Sequence, residues 1–202
     1  MLFRSGYFDH SDGTVTLNTW YNNIKKGANK GKPSATINIV DGPGAGRNFY
    51  NLKKTARKNI YLATDIEIEN DLSIIGQGYI YAQKLDGTNR NITIGGDWSQ
   101  LYSSSFKARS GKVIFKGTSA QNIDSRSSFY NLQISNSDVS LLSAATVSGT
   151  LTIDSGKKLD INGYNLTAGT LANDGNLQLK GSETLSITTK DTDSGTITYD
   201  GT

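Results

Sequence analysis

Asp65, Glu67, Glu69 and Asp71 put four carboxylates at alternate positions of the stretch DIEIEND, with Ile66, Ile68 and Leu72 set among them. Alternate side chains of an extended strand share a face, so the acids are expected on one side and the apolar residues on the other. Carboxylates this close repel one another unless a cation answers them. The cations to hand are Lys53, Lys54, Arg57 and Lys58 of KKTARK on an adjacent coil, a basic loop of a neighbouring subunit, or Ca²⁺. The sequence patterns of dedicated Ca²⁺ loops are absent, which leaves metal binding open. These eight residues form a candidate interaction face, and the plainer reading is a solvated acidic surface with local ion pairs. Tyr79, Tyr81 and Trp98 follow closely and make a candidate glycan platform.

Other chemistry is thin. GANKGKPS (27–34) resembles a phosphate loop only superficially: three residues separate its glycines instead of four, and Pro33 follows Lys32 where a hydroxyl is required. DGPGAGR (41–47) is a Gly-rich turn with no helix behind it to supply a dipole for an anion. His10, between Asp9 and Asp12, is the sole histidine, and no Gly-x-Ser-x-Gly elbow offers it a nucleophile. Zero cysteines exclude disulfides, thiolate metal sites and Cys nucleophiles. No catalytic residue is assigned, no cofactor is expected, and the chain is read as a non-enzyme. Sequons at Asn91 and Asn165 matter where a host glycosylates surface proteins.

The elements that must carry these residues are short strands. Across 202 residues there are 22 Gly against 2 Pro, and β-branched runs of four to six residues alternate with Gly, Asn, Asp and Ser. No run approaches the length of a membrane-spanning helix. The net charge is +3, and the clusters KKGANKGK (25–32) and KKTARK (53–58) lack interleaved aromatics, so they read as solvated loops and nucleic acid is not expected as a partner.

Two words recur. Phe49-Tyr50-Asn51-Leu52 returns as Phe129-Tyr130-Asn131-Leu132. A Gly followed by a β-branched strand occurs at Gly13, Gly111 and Gly195, and the two words alternate along the chain. Leu62/Leu141, Leu72/Leu151 and Ile74/Ile153 share one common offset, nearly that of the recurring word. The pattern predicts imperfect repeats of about 80–100 residues. Residues 1–33 would close one unit, open the next and hold a Lys-rich insert; 34–110 and 111–193 would be units; 194–202 would begin another. Both ends would then fall inside the pattern, as in a piece of a longer array.

Such repeats suit an all-β, right-handed parallel β-solenoid running through 1–202, with a tandem β-sandwich as the alternative. Inward positions are expected at Leu151 and Ile153, Leu159 and Ile161, and Leu177 and Leu179, with Thr14/Thr16 and Thr196/Thr198 outward. In the recurring word, Phe129, Leu132 and Ile134 would be core and Tyr130 would point out. Asn51 and Asn131 would be matching structural corners, bending the strand through φ > 0.

The succession Gly111 to Thr118 (G-x-V-x-F-x-G-T), Gln121 and Ile123, Phe129 to Ile134, and Gly149 to Ile153 resembles repeat modules of large microbial cell-surface and secreted β-helix proteins. It covers about 100–190 well and 36–98 more loosely, where DGPGAGRN and the Lys-rich stretch depart from it. The resemblance implies an extracellular or cell-surface location and an adhesin, stalk or filament role. It transfers no catalytic residue. Partners expected on this reading are further copies of the chain, end to end or side by side, or a surface glycan. The alternative is a carbohydrate-binding or carbohydrate-cleaving, pectin-lyase-like β-helix.

Overall fold

The structure is a computed structural model and describes residues 13–17, 37–38, 48–55, 60–62, 65–75, 79–81, 89–101, 106–126 and 128–201. Asp9, His10, Asp12, Arg57, Lys58, the Lys-rich stretch 25–32 and the Gly-rich turn 41–47 lie outside the described residues.

Where the sequence alternates apolar and polar residues, alternate side chains go inside. Asn51–Lys54, Lys112–Phe115, Asn131–Ile134 and Asn176–Leu179 all bury their second and fourth positions. A strand of this length buries only two side chains, so no single strand can hide its apolar face. Stacking turn upon turn is the remedy. Among the described residues there is no helix, and parallel strands stack into a nine-stranded, an eight-stranded and a four-stranded sheet that form the sides of a β-solenoid. The parallel pairing throughout replaces the hairpins that a tandem sandwich would need.

The core is a set of columns in which like stacks on like. On the eight-stranded sheet Ile66, Ile92, Val113, Leu132, Leu151 and Leu171 are successive register partners, and beside them run Ile68, Ile94, Phe115, Ile134 and Ile153. All are buried. The nine-stranded sheet adds Leu52, Leu72, Trp98, Ile123 and Leu141. Each fully buried Leu or Ile contributes about 1.5–3 kcal/mol relative to exposure. The expected inward residues from Leu151 to Leu179 are all buried, and Thr14, Thr196 and Thr198 are exposed.

The structural repeat is much shorter than the units read from the recurring words. Leu159 and Leu177 are register partners one turn apart, as are Leu72 and Trp98, so a turn takes roughly 18 to 26 residues, within the range of solenoid repeats. The first turn is longer, with Val15 beside Leu52, and it contains the Lys-rich stretch. Four turns carry Phe49 through Ile68, Ile94 and Phe115 to Ile134, whereas the second copy of the word already begins at Phe129. The spacing of the word therefore falls short of a whole number of turns.

The two copies consequently sit at different corners. Phe49 lies on the eight-stranded sheet and Asn51–Lys54 on the nine-stranded one. Phe129 pairs instead with Val147 on the third side, and Asn131–Ile134 enters the eight-stranded sheet. Leu72 and Leu151 likewise stand on different sheets. Locally the copies do agree: the chain bends at Tyr50 and Tyr130, and each asparagine begins the next strand. The asparagines themselves are not left-handed. Among the described non-glycine residues positive φ belongs to Arg109 and Asn162.

Corners between the eight- and nine-stranded sheets stack almost without space. A Cβ on Gly95 would be driven into the carbonyl oxygen of Glu69, and one on Gly117 into that of Gly95. The buried Gln121 stitches the same corner. Its Nε2 donates to the carbonyls of Ile94 (3.1 Å) and Gly96 (2.5 Å), and its Oε1 accepts from Gly117 N (2.8 Å) and Asn136 Nδ2 (2.8 Å).

Candidate functional site

The acidic stretch does not form one strand face. Ile66–Ile68 belongs to the eight-stranded sheet, the chain bends at Glu69 and Asn70, and Leu72–Ile74 belongs to the nine-stranded sheet. All four carboxylates are exposed, but they straddle a corner. Asp65 and Asp71 are engaged in the architecture: Asp65 Oδ1 accepts from Asn91 N (2.8 Å) and Asp71 Oδ1 from Asp97 N (2.8 Å). Of the cations offered to them, Lys53 is half-buried beside Ser73, while Lys54 points into the core and is fully buried.

Those two aspartates belong to a wider device. Asn51 Oδ1 accepts from Asp71 N (3.1 Å), Asp71 from Asp97 N, and Asp97 Oδ1 from Asn122 N (2.7 Å). On the other sheet Asp65 serves Asn91 N and Asn91 Oδ1 serves Lys112 N (3.1 Å). Asn131 accepts from Thr150 N (3.0 Å) and Asn165 from Thr184 N (2.7 Å). Each Asn or Asp stands one residue before a buried apolar residue, where the next turn presents an amide. The sequon asparagines Asn91 and Asn165 are thus spoken for as rung-to-rung acceptors.

This role predicts a split between two substitutions. Asp71→Asn keeps an acceptor oxygen and is expected to stay within about 0.5 kcal/mol of the parent, whereas Asp71→Ala loses about 1 kcal/mol. Urea midpoints of the two variants check it; equal effects would assign the residue's contribution to its charge instead.

The proposed glycan platform does not assemble. Trp98 is buried, 1% exposed, with its ring 4.9 Å from Phe106 and 5.3 Å from Phe129, both edge-on. The chain bends at Gly95-Gly96, and the alternation of the strand Trp98–Gln100 turns the indole inward. Tyr79 is half-buried under Lys107 Nζ, 5.0 Å from the ring centroid. Tyr81 lies in the strand Ile80–Tyr81, and its side chain is outside the described residues.

A different surface has the shape of a site. On the third side the four-stranded sheet ends at Phe106–Lys107, and among the described residues the next rung, at Phe129, pairs onward with Val147 only. Where that ladder lapses, two open hollows of about 390 and 450 Å³ meet, sharing Arg126 and Ser128. Phe106 and Phe129 underlie the first, and Lys107, Arg109, Tyr130 and Ser148 rim it. The second carries Asp124, Ser143 and Thr146. Three cations therefore face one carboxylate in a groove rich in hydroxyls. Arg109 stands at φ 54°, in a turn closed by Gly111 N donating to the Ala108 carbonyl (2.9 Å), a conformation glycine adopts without strain. Arg126 is exposed and makes no hydrogen bond or ion pair with a described residue.

Sequence reasoning missed this groove. Arg109 and Arg126 fall in no motif, and the lapse of one ladder has no local signature. Among the described residues no group of three or more His, Asp or Glu side chains is gathered for a metal, and no helix is long and apolar enough to cross a membrane. No protein-family model, curated protein or solved structure matches the chain, and its functional reading rests on this geometry.

Proposed function

We propose that the chain is a structural module of a microbial cell-surface or extracellular protein, serving as stalk, adhesin segment or filament subunit without catalysis of its own. The observation that carries this is the unbroken parallel ladder of the nine-stranded sheet, from Thr14–Leu17 to Thr196–Tyr199. On this sheet each strand is hydrogen-bonded to the next, and from Leu52 to Leu179 successive strands share columns of core side chains, so bending or stretching the rod must break many bonds together. Side-chain acceptors such as Asn51, Asp71 and Asp97 reinforce the same axis.

Pulling tandem copies of the chain by their two ends tests the mechanical part. One turn, such as that from Leu159 to Leu177 or from Leu72 to Trp98, releases about 60–90 Å of extended chain. Stepwise lengthening in multiples of one turn is expected; collapse in a single event at negligible force would overturn the reading. An antibody against the chain should also label intact source cells, and labelling only after lysis would refute the surface location.

A further inference from the structure

We propose that the groove on the third side binds the chain of an acidic polysaccharide, through Lys107, Arg109 and Arg126 to its carboxylate or sulfate groups and through Ser128, Ser148 and Tyr130 to its hydroxyls. This goes beyond a mechanical role, since a rod needs no such groove.

Four observations converge. The lapse in the ladder opens the only side where rungs fail to pair over an aromatic floor of Phe106 and Phe129, among the described residues. An apolar floor with a few convergent polar groups is the usual anatomy of a ligand site. The cations outnumber the single acid, Asp124. Arg126 spends its charge on no described protein group. Arg109 is held in a left-handed conformation that costs a non-glycine residue free energy, and such strain collects at functional sites.

The lining also selects the class of polyanion. Lys107, Arg126 and Ser148 come from successive turns, so the groove runs along the solenoid axis for about 10 Å, two rung spacings. That span suits a few charges separated by hydroxylated units. A single-stranded nucleic acid would call for stacked aromatic platforms, and Tyr130, 38% exposed, is the one large exposed ring in the lining. Tyr130 instead offers a face for a sugar ring and a hydroxyl for its oxygens.

The test uses the whole chain with four probes: polygalacturonate, dextran sulfate, neutral dextran and oligo-dT, by affinity electrophoresis and calorimetry. Binding to either anionic glycan and none to neutral dextran is expected, and the preferred one identifies carboxylate or sulfate. Arg109→Ala with Arg126→Ala should weaken binding by at least about tenfold, the loss expected for charge-assisted hydrogen bonds. Arg109→Lys, which keeps a cation in the groove, should retain part of the binding that Arg109→Ala loses. A merely structural Arg109 would leave binding unchanged in both variants. Lys190→Ala, an exposed cation outside the groove, should bind as the parent does. The proposal is overturned if neutral dextran binds equally, if oligo-dT binds as tightly as the glycans, if the double variant binds normally, or if Lys190→Ala loses as much.

Discussion

Trp98→Ala is expected to remove about 3–5 kcal/mol of folding stability, a large share of the roughly 5–15 kcal/mol that a domain of this kind possesses. Trp98 takes the place of an aliphatic residue in the column between Leu72 and Ile123, and its ring reaches across the lumen to Phe106 and Phe129. The three rings join the nine-stranded sheet to the third side. Edge-on aromatic pairs add about 0.5–1.5 kcal/mol each beyond burial. The indole Nε1 has no hydrogen-bond partner, so none of this stability is polar. Trp98→Phe should therefore recover more than half of the loss, leaving a cost of about 1–2 kcal/mol for the void. Urea unfolding of the three proteins, followed by far-UV circular dichroism, measures both values. A loss below about 1 kcal/mol for Trp98→Ala would return Trp98 to the surface as a glycan platform.

The alternation that buries Leu151 and Ile153 was visible in the letters because strand pleating has a period of two whatever the tertiary fold. The true repeat was visible too, in a different word from the one that stands out. Asn51-Leu52, Asp71-Leu72 and Asp97-Trp98 recur at about the length of one turn, each placing an acceptor at a strand entry, and the series ends on Asn122 N, which donates to Asp97. Phe-Tyr-Asn-Leu is more conspicuous but marks only a local geometry: aromatic in, tyrosine at the bend, amide bonded upward, leucine in. Any corner of the solenoid can use that geometry, which is why its copies land on different sheets. Lys54 and Trp98 were misplaced for a related reason. Their types suit the surface, while their positions, two after Leu52 and one after Asp97, point inward. In a core this narrow, position prevails over residue type. The groove was illegible because it arises from which of the described rungs fail to pair, a property of no single segment.

Lys54 supplies the sharpest consequence of that rule, and Lys54→Met is expected to stabilise the chain at neutral pH by roughly 2–3 kcal/mol. The lysine is fully buried, in the same register column as Ile74 and the buried Gln100. Burial disfavours its ammonium and lowers the pKa from 10.5 to about 8. At pH 7 the residue is still charged in both the folded and unfolded states, so burial of the ammonium weighs against the folded state alone. Each unit of displacement corresponds to about 1.4 kcal/mol, and 10.5 − 8 gives a ceiling of roughly 3–4 kcal/mol. Between pH 8 and 10.5 the unfolded chain binds more protons than the folded one, so this residue's contribution to stability rises with pH over that window. Methionine, similar in volume and never charged, has no such slope. Other titrating groups cancel when the two proteins are compared at each pH. The advantage of Lys54→Met should thus be greatest below pH 8 and shrink steadily toward pH 10.5, read from urea midpoints across the range. A parent that gains nothing on the variant as pH rises, or that exceeds it at pH 7, would show the ammonium reaching water, and the nine-stranded sheet would then have to open at Lys54.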